Sequence, residues 1–140
     1  MHSKRKGNIG QFGVGLALSK LGYSVFTEEG DISRIDVIAE KAGKLLRFQC
    51  KAITPVNDCL RLPLKKTGPN YRFRYDTTMF DYFAIYDLKD GRVYAVPVTI
   101  LKTLKNNFSL RKVAAKNNQK THIHMAADYA LETILRKVCP

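Results

Sequence analysis

Ile35-Asp36-Val37-Ile38-Ala39-Glu40, then Lys41-Ala42-Gly43-Lys44, then Leu45-Leu46-Arg47-Phe48-Gln49-Cys50-Lys51 is the stretch that decides the fold. Both arms are rich in β-branched, aromatic and aliphatic residues, and the four residues between them suit a tight turn. The segment therefore predicts a β-hairpin with arms at residues 32–40 and 45–52. Side chains alternate across a strand, so Gln49 and Lys51 share one face and Cys50 takes the other. The hairpin register can bring Asp36 to the face of Gln49 and Lys51. A carboxylate, an amide oxygen and an ammonium would then converge, a set that can hold a hard divalent cation and steady a phosphate. A carboxylate in an apolar strand is costly unless it is paired or bound to metal. Each residue also has a plainer reading: Asp36 capping a turn, Gln49 as a cross-strand hydrogen-bond partner, Lys51 as solvated charge.

Outward from the hairpin, residues 5–21 predict a helix, with Ile9, Phe12, Leu16 and Leu21 at near-helical spacing. Gly7, Gly10, Gly13 and Gly15 interrupt it, and each glycine inside a helix costs about 1 kcal/mol. Close approach of the helix to a sheet or to DNA would offset that. Residues 23–27 predict a first strand. After the hairpin, residues 58–75 alternate basic and apolar positions around Gly68-Pro69-Asn70, which reads as an inserted β-ribbon exposing Arg61, Lys65, Lys66, Arg72 and Arg74. Tyr71 and Tyr75 either stack on bases or face the core between outward arginines. Residues 82–87 and 93–96 predict strands joined by a turn at Lys89-Asp90-Gly91, and residues 98–104 a short helix behind Pro97. Residues 105–121 are polar and basic, including Arg111, Lys112 and Lys116, and read as a loop with some regular structure. A C-terminal helix is expected within residues 122–139, its amphipathic pattern running over 125–138 with Leu131, Ile134, Leu135 and Val138 on one side. His122-x-His124 falls short of a metal site on its own; His124 starting the last helix, or either ring touching phosphate, is the better reading.

The composition narrows the function. One domain spanning residues 1–140 is expected, and 45% hydrophobic residues allow a real core. No run of about 18 apolar residues occurs, so no membrane span is expected. The N-terminal Lys4-Arg5-Lys6 is basic but no cleavage pattern of a secretory leader follows, so a cytoplasmic protein is the simplest reading. Three cysteines, odd in number and without C-x-x-C spacing, point to neither a disulfide framework, a disulfide-linked partner nor a zinc site. The net charge of +12 favours a polyanion, and without a basic amphipathic helix nucleic acid is a better partner than a membrane surface.

The hairpin and its surroundings resemble the PD-(D/E)XK nuclease superfamily, the restriction-endonuclease fold. In that family an Asp ends one strand, a D/E-x-K triplet lies on the next, and a Glu often comes from the preceding helix. Asp36 and Lys51 match, while Gln49 stands where Asp or Glu is usual. Residues 6–23 are similar to the first helix of archaeal-type Holliday junction resolvases, with Gln11 at the place of their Glu. That glutamine is natural drift, a deliberate charge-removing exchange, or a helix-surface residue with no role. Residues 81–87 and 92–97 look like later strands of the fold, and within it the nearest resemblance is to a cyanobacterial group I intron homing endonuclease.

The resemblance implies an α/β domain with a central mixed sheet flanked by helices and a basic ribbon inserted after the catalytic strand. It implies a sequence-specific, divalent-metal-dependent endonuclease acting on double-stranded DNA with Mg²⁺ or Mn²⁺. Gln11, Asp36, Gln49 and Lys51 would be catalytic. Asp36, Gln49 and the Cys50 carbonyl would hold the metal. Lys4, Arg5, Lys6, Arg61, Lys65, Lys66, Tyr71, Arg72, Arg74, Arg111, Lys112 and Lys116 would contact DNA. One site per chain and two strands to cut imply a homo-oligomer, a dimer or tetramer. The apolar side of the last helix is its candidate surface, or else completes the chain's own core. A junction-specific resolvase and a non-catalytic nucleic-acid-binding module are the alternatives.

Overall fold

The computed structural model describes residues 1–104, 106–115 and 123–140. Helix α1 (Ser3–Lys20) is followed by strands β1 (Ser24–Thr27), β2 (Val37–Lys41) and β3 (Lys44–Ile53). Next come β4 (Cys59–Pro63), β5 (Lys65–Gly68), β6 (Tyr71–Arg74), β7 (Tyr82–Asp87) and β8 (Val93–Pro97). A 3-10 turn (Val98–Lys102), β9 (Asn107–Arg111), β10 (His124–Met125), a second 3-10 turn (Ala126–Tyr129) and helix α2 (Leu131–Arg136) complete the described chain. The central sheet has five strands in the order β1-β2-β3-β7-β8. Only the β3–β7 pair is parallel, so the sheet is mixed, as expected.

The β2–β3 hairpin forms as the sequence predicts. Ala42 and Gly43 both adopt positive φ, 52° and 82°, as a tight two-residue turn matched to the twist of its strands demands. The first arm begins at Val37 rather than residue 32. Before it, the Glu28 carboxylate accepts hydrogen bonds from the backbone of Ile32 at 3.1 Å and Ser33 at 2.9 Å, and these fold the lead-in into a loop.

The glycines of α1 do two different things. A Cβ on Gly10 would stand 2.9 Å from the Cβ of Ala52, and one on Gly13 would stand 2.2 Å from the ring of Tyr86. These two let the helix press onto β3 and β7. Gly7 has open space around it. Val14 and Leu18 seal the contact against Phe48, Ala84 and Ala95 on that face of the sheet.

The opposite face carries Phe83, Ile85, Tyr94 and Val96, covered by Leu60, Leu62, Leu64, Phe108 and Leu110. This packing divides the expected ribbon. Leu60, Leu62 and Leu64 are buried, so β4 turns inward and pairs with β9, while only β5 and β6 form a two-stranded ribbon. Arg61 therefore belongs to the second sheet, opposite Ser109.

The C-terminal helix is much shorter than expected. Residues 124–129 form β10 and a 3-10 turn, and the extended Ala130, bridged to Tyr94, delays the helix to Leu131. His122 and Lys116 lie outside the described residues. Leu131, Ile134 and Leu135 are buried against Val14, Leu18 and Tyr23, so this apolar side completes the chain's own core and is not a free docking face.

Candidate active site

Val37 pairs with Phe48, and the Asp36 amide donates to the Phe48 carbonyl at 2.9 Å. Continuing that register places Asp36 opposite Gln49. Gln49, only 7% exposed, donates its side-chain amide to Asp36 Oδ2, and the Cys50 backbone amide donates to the same oxygen at 2.7 Å. Burial pushes the Asp36 carboxyl above its ordinary range. These two hydrogen bonds and Lys51 oppose the shift, and Asp31 adds to it.

Lys51 projects from the face that carries Gln49, with its Nζ 5.4 Å from the centre of the Tyr75 ring. Burial holds its ammonium below the ordinary lysine range. Arg34 pushes the same way and Asp36 pulls back toward the charged form. Gln11 reaches across from α1 and donates to the backbone oxygen of Asp36 at 3.4 Å. It braces the Asp36 backbone rather than meeting its carboxylate. Burial drives the Cys50 thiol far above its ordinary range, so the sulfur is no ready metal ligand and only its backbone is left for that role.

These donors test whether a divalent cation fits. Asp36 supplies one carboxylate, and a half-turn of the Gln49 amide would present its oxygen at the same place. Oxygen donors of this kind suit Mg²⁺ or Mn²⁺. The set fits such an ion with less negative charge than a carboxylate pair would bring. Among the described residues no three His, Cys, Asp or Glu side chains cluster as a cage.

The remaining expected contacts separate by exposure. Lys65, Lys66, Tyr71, Arg72 and Arg74 are exposed on the β5–β6 ribbon. Lys4 and Arg5 are exposed at the start of α1, with Lys6 half-buried beside them. Arg61 is exposed on β4, whereas Arg111 is half-buried and donates to the Val113 carbonyl at 3.4 Å. Lys112 is a correction. Its Nζ lies 2.6 Å from buried Asp87 and 3.0 Å from Asp90, so it neutralises an internal carboxylate and is withdrawn as a DNA contact. His124 bonds the Tyr129 hydroxyl at 3.2 Å and packs on Phe108, a structural role.

Sequence reasoning missed Asp31 and Arg34. Both lie on the loop before Asp36, and Arg34 stacks its guanidinium 3.9 Å from the centre of the Phe73 ring on β6. A cation two residues before the key acid was a visible signal, but its aromatic partner was not.

The order of helix, hairpin and parallel strand, with Asp36 opposite Gln49-Cys50-Lys51, coincides with a match of residues 1–132 to the PD-(D/E)XK endonuclease family. The chain belongs to the PD-(D/E)XK endonuclease family. That membership supports DNA endonuclease activity, in a family that generally works with divalent metal ions. The solved structure of a bacterial homing endonuclease, I-Ssp6803I, is similar, with a TM-score of 0.79 over 99% of this chain and 96% of that one. The sequence identity is 20%, so this likeness establishes the PD-(D/E)XK fold and no more. No curated protein sequence matches the chain.

Proposed function

We propose that the protein is a divalent-metal-dependent, sequence-specific DNA endonuclease that hydrolyses backbone phosphodiester bonds, and that its biological role is intron homing. The observation that carries this reading is the convergence of Asp36, Gln49 and Lys51 beside an exposed basic ribbon. Asp36, the Gln49 amide oxygen and the Cys50 carbonyl would hold the ion. When bound, the ion would offset charge developing on the phosphate and ease deprotonation of the attacking water. Lys51 orients that water and steadies the phosphate oxygens, with Asp36 favouring its charged form. Gln11 keeps the Asp36 backbone in place.

The homing role draws on the fold shared with the bacterial homing endonuclease. Two strands and one site per chain call for a homo-oligomer, dimer or tetramer, which light scattering with and without DNA would reveal. A lone 15.9 kDa monomer in both conditions would refute that assembly. Cys50, Cys59 and Cys139 are free thiols, consistent with a cytoplasmic setting. No helix among the described residues is long and apolar enough to cross a membrane.

Glutamine at both 11 and 49 favours one second reading, a DNA-binding module without catalysis. Titration of Mg²⁺ and Mn²⁺ against a DNA library separates the two. Metal-dependent cutting at a defined sequence supports the endonuclease, and binding without cutting in either metal supports the module. Cutting confined to four-way junctions of any sequence would mark a resolvase instead.

A further inference from the structure

The central sheet treats its two outer strands differently. At β8 the edge is closed, because Ala130 bridges back to Tyr94, and Tyr94, Ala95 and Val96 are buried. At the other edge, no strand among the described residues pairs with the outer side of β1. Ser24, Phe26 and Thr27 are exposed and Val25 is half-buried. Phe26 keeps 55% of its surface in solvent. The strand reads Ser-Val-Phe-Thr, with no lysine, no proline and no bulge. Those are the devices by which sheets guard an edge, and an apolar edge without them is a template for another strand.

The charges at its two ends indicate which strand fits. Lys20 is exposed just before β1, and Lys41 joins it there, its Nζ donating to the Leu21 carbonyl at 3.1 Å. Glu29 and Asp31 are exposed just beyond the other end. Among the described residues none of these four takes part in an ion pair. An antiparallel neighbour with cations before it and acids after it would set each group against its opposite. A second copy of β1 meets that description. A two-fold axis normal to the sheet, through the middle of the strand, gives this antiparallel pairing and keeps both α1 helices on one face. Phe26 then lies directly opposite or diagonal to its copy, within reach of an aromatic pair.

We propose that β1 is a self-association surface, pairing antiparallel with β1 of a second copy and joining the two five-stranded sheets into one. Asp36 directly precedes Val37, which pairs with Thr27 of β1, so the axis relates two candidate active sites, one for each DNA strand. This deepens the oligomer part of the reading above and does not depend on cleavage.

Sedimentation velocity on the full chain at micromolar concentration, without DNA, tests it. The expected result is a dimer or larger even assembly, with amide exchange at residues 24–27 slowing as concentration rises. Phe26→Lys sets like charges across the axis and should weaken association about tenfold or more, with circular dichroism unchanged. Lys20→Glu and Glu29→Lys should each weaken it, and the two together should restore it, a recovery that misfolding cannot produce. A double variant that fails to recover would overturn the proposal. A wild-type assembly that Phe26→Lys leaves intact would overturn the edge pairing and leave the oligomer standing. A monomer at every concentration would overturn both, while cleavage in Mg²⁺ or Mn²⁺ would still decide the nuclease reading.

Discussion

Gln49 donates its side-chain amide to the carboxylate of Asp36 across the β2–β3 hairpin. The pair joins the acid that could hold a cation to the strand that carries Lys51, and it makes several measurable demands.

Ionised Asp36 strains the fold. Burial raises its pKa above the unfolded-state value, so its contribution to stability is full below the unfolded pKa and lost as pH rises through the folded one. At neutral pH the buried charge is a net cost. Asp36→Asn is expected to fold, to melt no lower than wild type at pH 7, and to lose metal-dependent cleavage. Melting curves across pH with a parallel cleavage assay check this. Cleavage by Asp36→Asn in Mg²⁺ would remove Asp36 from the site.

Gln49→Glu would set a second carboxylate against Asp36. Without metal, an attractive hydrogen bond becomes a like-charge contact, and stability should fall by about 1–3 kcal/mol. Mg²⁺ or Mn²⁺ should restore it, so the variant's melting temperature should respond to metal more than wild type's does. Gln11→Glu should lower cleavage, because a carboxylate cannot donate to the Asp36 backbone oxygen that Gln11 braces. A gain in cleavage would instead place residue 11 beside the metal.

The glycines of α1 should divide. Gly7→Ala meets nothing within 4 Å and should stabilise by about 0.5–1 kcal/mol. Gly13→Ala must displace the Tyr86 ring and should destabilise by about 1–3 kcal/mol. Denaturant titration of both variants checks the contrast, and equal effects would contradict the close approach of α1 to β7.

On the ribbon, Arg72→Ala or Arg74→Ala should each weaken binding by about 1–3 kcal/mol and relax preference at one base pair, if an extended ribbon reads the major groove. Lys4→Ala should instead weaken binding evenly across sequences. Selection from a randomised DNA library separates the two patterns.

The sequence disclosed what depends on local periodicity. The alternation that groups Gln49 with Lys51, and the turn that sets Asp36 opposite Gln49, are properties of one continuous stretch. The division of the ribbon was hidden because β4 takes β9, far along the chain, as its partner. The last helix read too long because a pattern of apolar spacing does not show that Ala130 bridges to Tyr94. Lys112 looked like free surface charge until Asp87 was placed beneath it. Arg34 escaped notice because its aromatic partner, Phe73, comes from a separate segment.

The central claim is that Asp36 and Lys51 belong to one phosphodiester-cleaving centre. Lys51→Ala tests it most directly, with cleavage in Mg²⁺ and duplex binding in Ca²⁺ measured on the same preparation. Binding spreads over many basic groups, whereas the chemistry needs one ammonium at one phosphate. The expected result is a loss of cleavage by about a hundredfold or more, with affinity changed by less than about threefold. Cleavage that persists, or falls only in step with binding, would contradict it.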